Sequence, residues 1–353
     1  TWEDFIVGRL TGQHVCSVST AARLMALDLS ATRWSPEILL AAGIPATVLP
    51  EVRPQGAWLG TVSAEGARYT GLVEGTAVVA GGFDQACSAL GCGILSPGLA
   101  SVSTGTMESV AAYSATEVRG IPYPMNPHVS GEGFIYTATN PNGGAVLAWL
   151  KNELFDEFQR HAESLGISPY DLMLAECADT PNSLLFLPHL AGAGAPHRSP
   201  SSRGALLGLT MATRRVDVIL AVLEGLSYEF RQNVEGLADA LKTQIRRVRA
   251  AGGGARSQRW LRLKADVLGV PVERMKVSDA SALGAAILAA SGAGLYSSID
   301  AAVSALVQPE EEYLPDMTKN RYHTEKYEIY RGLFSLLHAT STRLAQVVRA
   351  NSL

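Results

Sequence analysis

Three times along this 353-residue chain a short run that reads as a strand ends in a glycine turn, and behind the first and third of these turns a helical pattern follows. Val79-Ala80 runs into Gly81-Gly82-Phe83-Asp84, the stretch 100–104 into Gly105-Thr106, and 247–251 into Gly252-Gly253-Gly254. A fourth, weaker case leads from 133–138 to Asn142-Gly143-Gly144. Strand, glycine turn and helix in alternation predict an α/β architecture of the nucleotide-binding type.

Each turn has a chemical reading and a plain one. Asp84 lies just past a strand and a glycine pair, where the backbone can approach a ligand and a carboxylate can take a proton from a hydroxyl. Gln85 beside it offers both a donor and an acceptor. The plain reading is that Asp84 caps the helix that follows, a position Asp favours. Ser103-Thr104-Gly105-Thr106 can wrap a phosphate with N–H groups and hydroxyls, or be an ordinary tight turn. Gly252-Gly253-Gly254 opens a helix whose positive end favours negative charge. It has neither the G-x-G-x-x-G spacing nor a following Lys-Ser/Thr, so neither a dinucleotide fingerprint nor a P-loop is present.

The rest of the pattern places these turns. Residues 2–10, 19–29 and 35–42 read as helices, the last begun by Ser35-Pro36 and stopped by Gly43. One long helix is expected from Gly144 to about Leu165, with Leu147, Leu150, Leu154 and Phe158 on one face. Helices are also expected over 216–241, 257–268, 281–290 and 326–348, and a proline-containing loop beyond Ser109.

Composition narrows the class. With 47% hydrophobic and 18% charged residues the chain is globular, long enough for two domains, and its net charge of −4 argues against nucleic-acid binding. Arg246, Arg247 and Arg249 read as a solvated edge. Cys16, Cys87, Cys92 and Cys177 lie far apart and read as reduced, buried thiols of a cytoplasmic protein. The longest uncharged run, 280–299, is Ala, Gly and Ser, and no membrane span is expected. His189 and His197 flank a Gly/Ala loop, and a metal-ligand role is not expected of them.

Taken in order, the segments resemble the FGGY carbohydrate kinases, the family of glycerol kinase, xylulokinase, gluconokinase and ribulokinase. Leu10-Thr11-Gly12 with Ser19-Thr20-Ala21-Ala22-Arg23 and Asp28 is similar to the family's first stretch. Ala80-Gly81-Gly82-Phe83-Asp84-Gln85 is similar to its GGGDQ motif. Ser103-Thr104-Gly105-Thr106, then 187–209, then Gly252-Gly253-Gly254-Ala255-Arg256-Ser257 with 265–269 and 282–286, follow in the family's order. The resemblance implies the actin-like, ribonuclease-H-like pair of α/β domains with a nucleotide cleft between them. It implies ATP and Mg²⁺ as cofactors and a sugar, sugar acid or polyol as substrate. Asp84 would be the catalytic base, and Gln85, Asp84 and Phe83 would face the substrate. Gly105 and Thr106 would face the phosphates, Gly144 would lie along the nucleotide, and Gly253, Gly254 and Gln258 would border the adenosine. A homodimer is expected, and no metal-ligating side chain is assigned.

Three departures stand out: Gly192-Ala193-Gly194 replaces a charge pair, Phe83 replaces a glycine, and Glu108 follows the phosphate turn, where its charge opposes ATP unless it points away or helps hold Mg²⁺. Members of the family open with an Asp-x-Gly-Thr loop, and no aspartate here begins one. Residues 1–109 are therefore expected to be the remainder of the N-terminal, substrate-side domain, and 110–353 the C-terminal, nucleotide-side domain. The rival expectations are a catalytically inactive nucleotide-binding module and an actin-like or chaperone-type ATPase without a sugar substrate.

Overall fold

The computed structural model describes residues 1–177 and 181–351. A seven-stranded mixed sheet organises most of it. Its strands run in the order Pro309–Tyr313, Val272–Met275, Arg247–Ala251, Leu99–Thr104, Glu108–Ser114, Phe134–Asn140 and Met125–Pro127. Arg247–Ala251 is parallel to both its neighbours, and the remaining pairs are antiparallel.

Side-chain alternation along the strands explains the two layers of helix. Val110 and Ala112 point into a core with Phe230, Val234 and Leu237 of the helix Arg215–Ala240 and with Leu261 and Ala265 of Gln258–Leu268. Ala111 and Tyr113, one residue out of phase, face Ala89 and Ala280 instead. Those belong to the helices Asp84–Gly91 and Ala280–Gly292 on the opposite face.

Residues 1–80 form a smaller layer. The helix Trp2–Thr11 packs Val7 against Val15, Leu59, Val62, Val78 and Ala80. Val15–Ser17 pairs in parallel with Glu51–Arg53, and Trp58–Thr61 pairs antiparallel with Ala77–Val79.

Several expectations change. The expected helix over 19–29 is a single turn, Val18–Ala21, then a 3-10 turn ended by Met25 at φ 57° and a small hairpin of Leu27–Asp28 with Arg33–Trp34. The Asp28 carboxylate accepts from the Ser30 and Ala31 N–H groups, which makes the bend. The helix expected from Gly144 to Leu165 breaks: Gly144–Trp149 widens to a π turn over Leu150–Leu154, Phe155 leaves helical geometry, and Glu157–Leu165 restarts. The wide turn rotates the apolar face, so Leu147, Leu150 and Phe158 are buried while Leu154 is exposed. The last expected helix is two, Met317–Tyr330 and Leu333–Asn351, parted at Arg331-Gly332.

The expected solvated arginine edge is interior sheet. Arg247 pairs with Glu273 and Glu312, while Arg249 pairs with Glu273 and donates to the Cys92 carbonyl at 2.8 Å. Only Arg246 is exposed. The stretch beyond Ser109 continues as strand Glu108–Ser114, so the division expected at 109/110 falls inside that strand. The four cysteines are free and buried. Burial pushes the Cys16, Cys87 and Cys92 thiols up to about 12 and that of Cys177 to about 11.

Candidate active site

The first glycine turn is held from the smaller layer. The Glu3 carboxylate accepts from the Gly81 N–H at 3.1 Å and from the Ser17 N–H and hydroxyl at 3.0 and 2.9 Å. Ser19 Oγ accepts from the Phe83 N–H at 3.2 Å, and the Arg23 guanidinium lies 4.5 Å from the Phe83 ring centre. Gly82 leaves no room for a side chain, since a Cβ there would lie 2.6 Å from Val129 Cγ1.

Asp84 is not the helix cap, because Phe83 occupies that position and Asp84 begins the helix proper. Its exposed carboxylate accepts from the N–H of Gln85 at 2.7 Å. A carboxylate in a first helical turn is favoured by the helix dipole.

The other three turns meet at one end of the seven-stranded sheet. The Gly144 N–H donates to the Gly105 carbonyl at 2.8 Å, and the Gly143 and Ala145 N–H groups donate to the Thr106 carbonyl at 3.2 and 3.1 Å. Gly144 is glycine for this contact: a Cβ would sit 2.7 Å from the Gly105 oxygen. Gly252 and Gly254 press on Thr104, with Cβ positions 2.8 Å from its oxygen and 2.7 Å from its Cβ. Gly105 faces open space, a Cβ at Gly253 would make only an ordinary contact with the Thr104 oxygen at 3.9 Å, and both glycines are exposed, as is Thr106. Gln258 is exposed and reaches Glu311 at 3.4 Å.

The buried Asn142 joins this cluster to the departed loop. Its amide donates to the Gly192 carbonyl at 2.7 Å and accepts from the Ala191 N–H at 2.8 Å. Gly194 packs on the Thr139 carbonyl, where a Cβ would lie at 2.4 Å. The main chain of that loop is therefore held by the uncharged Asn142 amide and by close packing on Thr139.

Glu108 points away from the turn into the interior. It accepts from the Thr104 hydroxyl at 2.8 Å and pairs with the buried Lys264 ammonium. His189 is buried between Ser202 Oγ at 2.7 Å and Glu229 Oε1 at 2.9 Å, and His197 stacks on Phe334 at 3.8 Å. Among the described residues no three His, Cys, Asp or Glu side chains gather to hold a metal ion, and no helix is long and apolar enough to cross a membrane.

The helices Asp84–Gly91 and Ala280–Gly292 bring the acidic turn toward the glycine cluster. Their backbones touch, with Cβ positions at Gly91 and Gly284 each only 1.9 Å from a carbonyl oxygen of the other helix. Ser281 Oγ donates to the Asp84 carbonyl and the Gly252 N–H to the Ser278 carbonyl, at 3.1 and 2.9 Å. Glu3, Lys264 and Ser281 carried no motif signal, because each acts across a large gap in sequence, and Asn142 was legible as the start of the fourth turn but not as a partner of the 191–192 loop. Only contact in three dimensions reveals them.

Comparison with known proteins identifies the fold and the family. The chain is 28% identical to the xylulose kinase of Bacillus subtilis (strain 168) over 349 residues, 97% of this chain and 67% of that one. It is 32% identical to the glycerol kinase of Gloeobacter violaceus (strain ATCC 29082 / PCC 7421) over 311 residues, 84% of this chain and 58% of that one. The crystal structure of xylulose kinase from Rhodospirillum rubrum superposes with a TM-score of 0.82 at 30% identity, covering 96% of this chain and 67% of that one. The chain thus spans from just over half to about two thirds of these relatives' lengths, and it shares their actin-like fold. Residues 1–91 match the N-terminal domain and residues 100–293 the C-terminal domain of one family, so the chain belongs to the FGGY family of carbohydrate kinases.

Proposed function

We propose that this chain carries the greater part of an ATP-dependent kinase that phosphorylates a hydroxyl of a small sugar, sugar acid or polyol, with Asp84 as general base. The names of its relatives, xylulose kinase and glycerol kinase, suggest a ketose or a polyol as acceptor. The observation that carries the reading is the position of Asp84. Its exposed carboxylate accepts from its neighbour's N–H, on a helix whose main chain is tied through residues 278–281 to the Gly252 turn.

In this reading the acceptor hydroxyl gives its proton to Asp84 as its oxygen bonds to the γ-phosphorus, and the bond from that phosphorus to the bridging oxygen of ADP breaks. Phosphoryl transfer depends mostly on positioning and charge stabilisation. Gly105, Thr106 and Gly144 border the phosphates in this reading, and Gly253, Gly254 and Gln258 the adenosine. The fit rests on Gly105, Thr106 and Gly253 being exposed beside one another's strands. Phe83 and Gln85 face the acceptor. Mg²⁺, when bound, would neutralise phosphate charge.

A coupled assay of ADP release over a panel of ketoses, aldonates and polyols tests the proposal. Release that rises with one acceptor supports it. Release independent of every acceptor favours an ATPase, and nucleotide binding without turnover favours a binding module.

A further inference from the structure

We propose that Lys264 is a positioning residue for the nucleotide phosphates, acting through Glu108 and Thr104 on the Gly105-Thr106 turn. The inference rests on the nucleotide reading above and adds to it a charge device beneath the turn.

Thr104 and Glu108 face each other across the base of the hairpin whose tip is Gly105-Thr106. Both are buried, and so is Lys264, which comes from the helix following the Gly252-Gly253-Gly254 turn. The Thr104 hydroxyl donates to Glu108 Oε2 at 2.8 Å, and Lys264 Nζ reaches that same oxygen and the Thr104 hydroxyl at 3.2 Å. The ring centres of Phe230 and Trp260 lie 4.7 Å from the ammonium, closing it in. One amino group thus locks the base of the phosphate hairpin to the helix behind the third glycine turn.

Burying both charges is costly, and an apolar pair of similar volume is often as stable. Stability alone therefore gives no reason to place an ion pair here. Position does. A carboxylate two residues past the phosphate turn repels a polyphosphate across a medium of low dielectric, and a paired ammonium cancels that repulsion. The same ammonium fixes the Thr104 hydroxyl, so the turn above it is presented in one geometry.

The charge argument predicts changes of opposite sign, which a purely structural role does not. Calorimetric titration of the whole chain with ADP and with adenosine reads them. Lys264→Met leaves Glu108 unbalanced and should weaken ADP roughly tenfold while sparing adenosine. Glu108→Gln leaves the ammonium in excess and should tighten ADP relative to adenosine. The double variant should return close to the wild-type ratio. If Lys264→Met does not fold, the sign of the Glu108→Gln change and the ratio in the double variant decide. ADP weakened in both single variants, or an unchanged ADP-to-adenosine ratio, overturns the assignment while leaving nucleotide binding intact. A wild-type chain that binds neither ligand overturns the nucleotide reading, and this assignment with it.

Discussion

The Ser281 hydroxyl donates to the Asp84 main-chain carbonyl at 3.1 Å, three residues after Ser278, whose own carbonyl accepts from the Gly252 N–H at 2.9 Å. One short segment, 278–281, thereby fixes the acidic turn to a glycine turn that is 168 residues away in sequence, counting from 84 to 252. Displacing that segment should disturb both sites together, whereas side-chain changes within either turn should act locally.

The helix pair that carries the segment should tolerate no side chain at its crossing. A Cβ at Gly284 would lie 1.9 Å from the Cys87 carbonyl oxygen, a main-chain atom that cannot swing aside. Gly284→Val should cost about 1–3 kcal/mol or more, as overpacked cores do. Gly105→Ala is the control, because its Cβ meets nothing within 4 Å. Chemical denaturation of the two variants checks the contrast, and equal stabilities would contradict the backbone-to-backbone packing.

Gly253 is the clean probe of the adenosine side. Gly254 resembles it in sequence, yet a side chain there would press on Thr104 Cβ at 2.7 Å and confound binding with strain. Gly253 has only the Thr104 oxygen nearby, at 3.9 Å. Gly253→Arg should therefore leave the melting temperature within a few degrees of wild type and weaken ADP by about tenfold or more. Titration of ADP into both proteins checks it, and unchanged affinity would move the adenosine elsewhere.

How much of this was legible follows from the physics of each element. Glycine turns after strands announce themselves because few residues permit such close approach, and all four turns lie where the pattern put them. Strand Glu108–Ser114 did not: it is buried along its whole length, so it shows no alternation of apolar and polar residues. Pro309–Tyr313 hid behind its glutamates, whose partners Arg247 and Arg274 lie on other strands. The helix break at Phe155 carried no glycine or proline to mark it. Glu108 looked hostile to phosphate in sequence, and the Lys264 ammonium that neutralises it sits 156 residues away.

Acid should loosen the wall behind the acidic turn through His128. Burial pushes its imidazole down from 6.5 to about 4, and Nδ1 accepts from the Ser130 N–H at 3.0 Å. The unfolded chain takes up this proton below 6.5, the folded chain only below about 4. Stability is thus fully present above 6.5 and falls as pH drops toward 4, by up to roughly 3 kcal/mol. Val129, the next residue, lies against Gly82, so the loosening should reach Phe83 and Asp84. Urea denaturation of wild type and His128→Asn between pH 7 and 4 checks this; the variant should lose less stability over that range, and equal slopes would remove His128 from the response.

Asp84→Asn separates chemistry from folding. Asp84 opens its helix without capping it, and its carboxylate accepts from the Gln85 N–H at 2.7 Å. An Asn amide oxygen can accept the same bond, so stability should change by less than about 1 kcal/mol. The main-chain bond from Ser281 is untouched by the substitution. What the amide cannot do is take a proton from the acceptor hydroxyl, and kcat should fall by roughly 10²–10⁴. Acceptor and ADP affinities should stay near wild type, because Gln85, Phe83 and the glycine turns are unchanged. The comparison is made in an enzyme that shows acceptor-dependent ADP release, with binding measured beside turnover. A fall in kcat with preserved binding is the signature of a lost base. Near-normal turnover in the Asn variant would remove Asp84 from the chemistry and leave its carboxylate a local partner of the helix start.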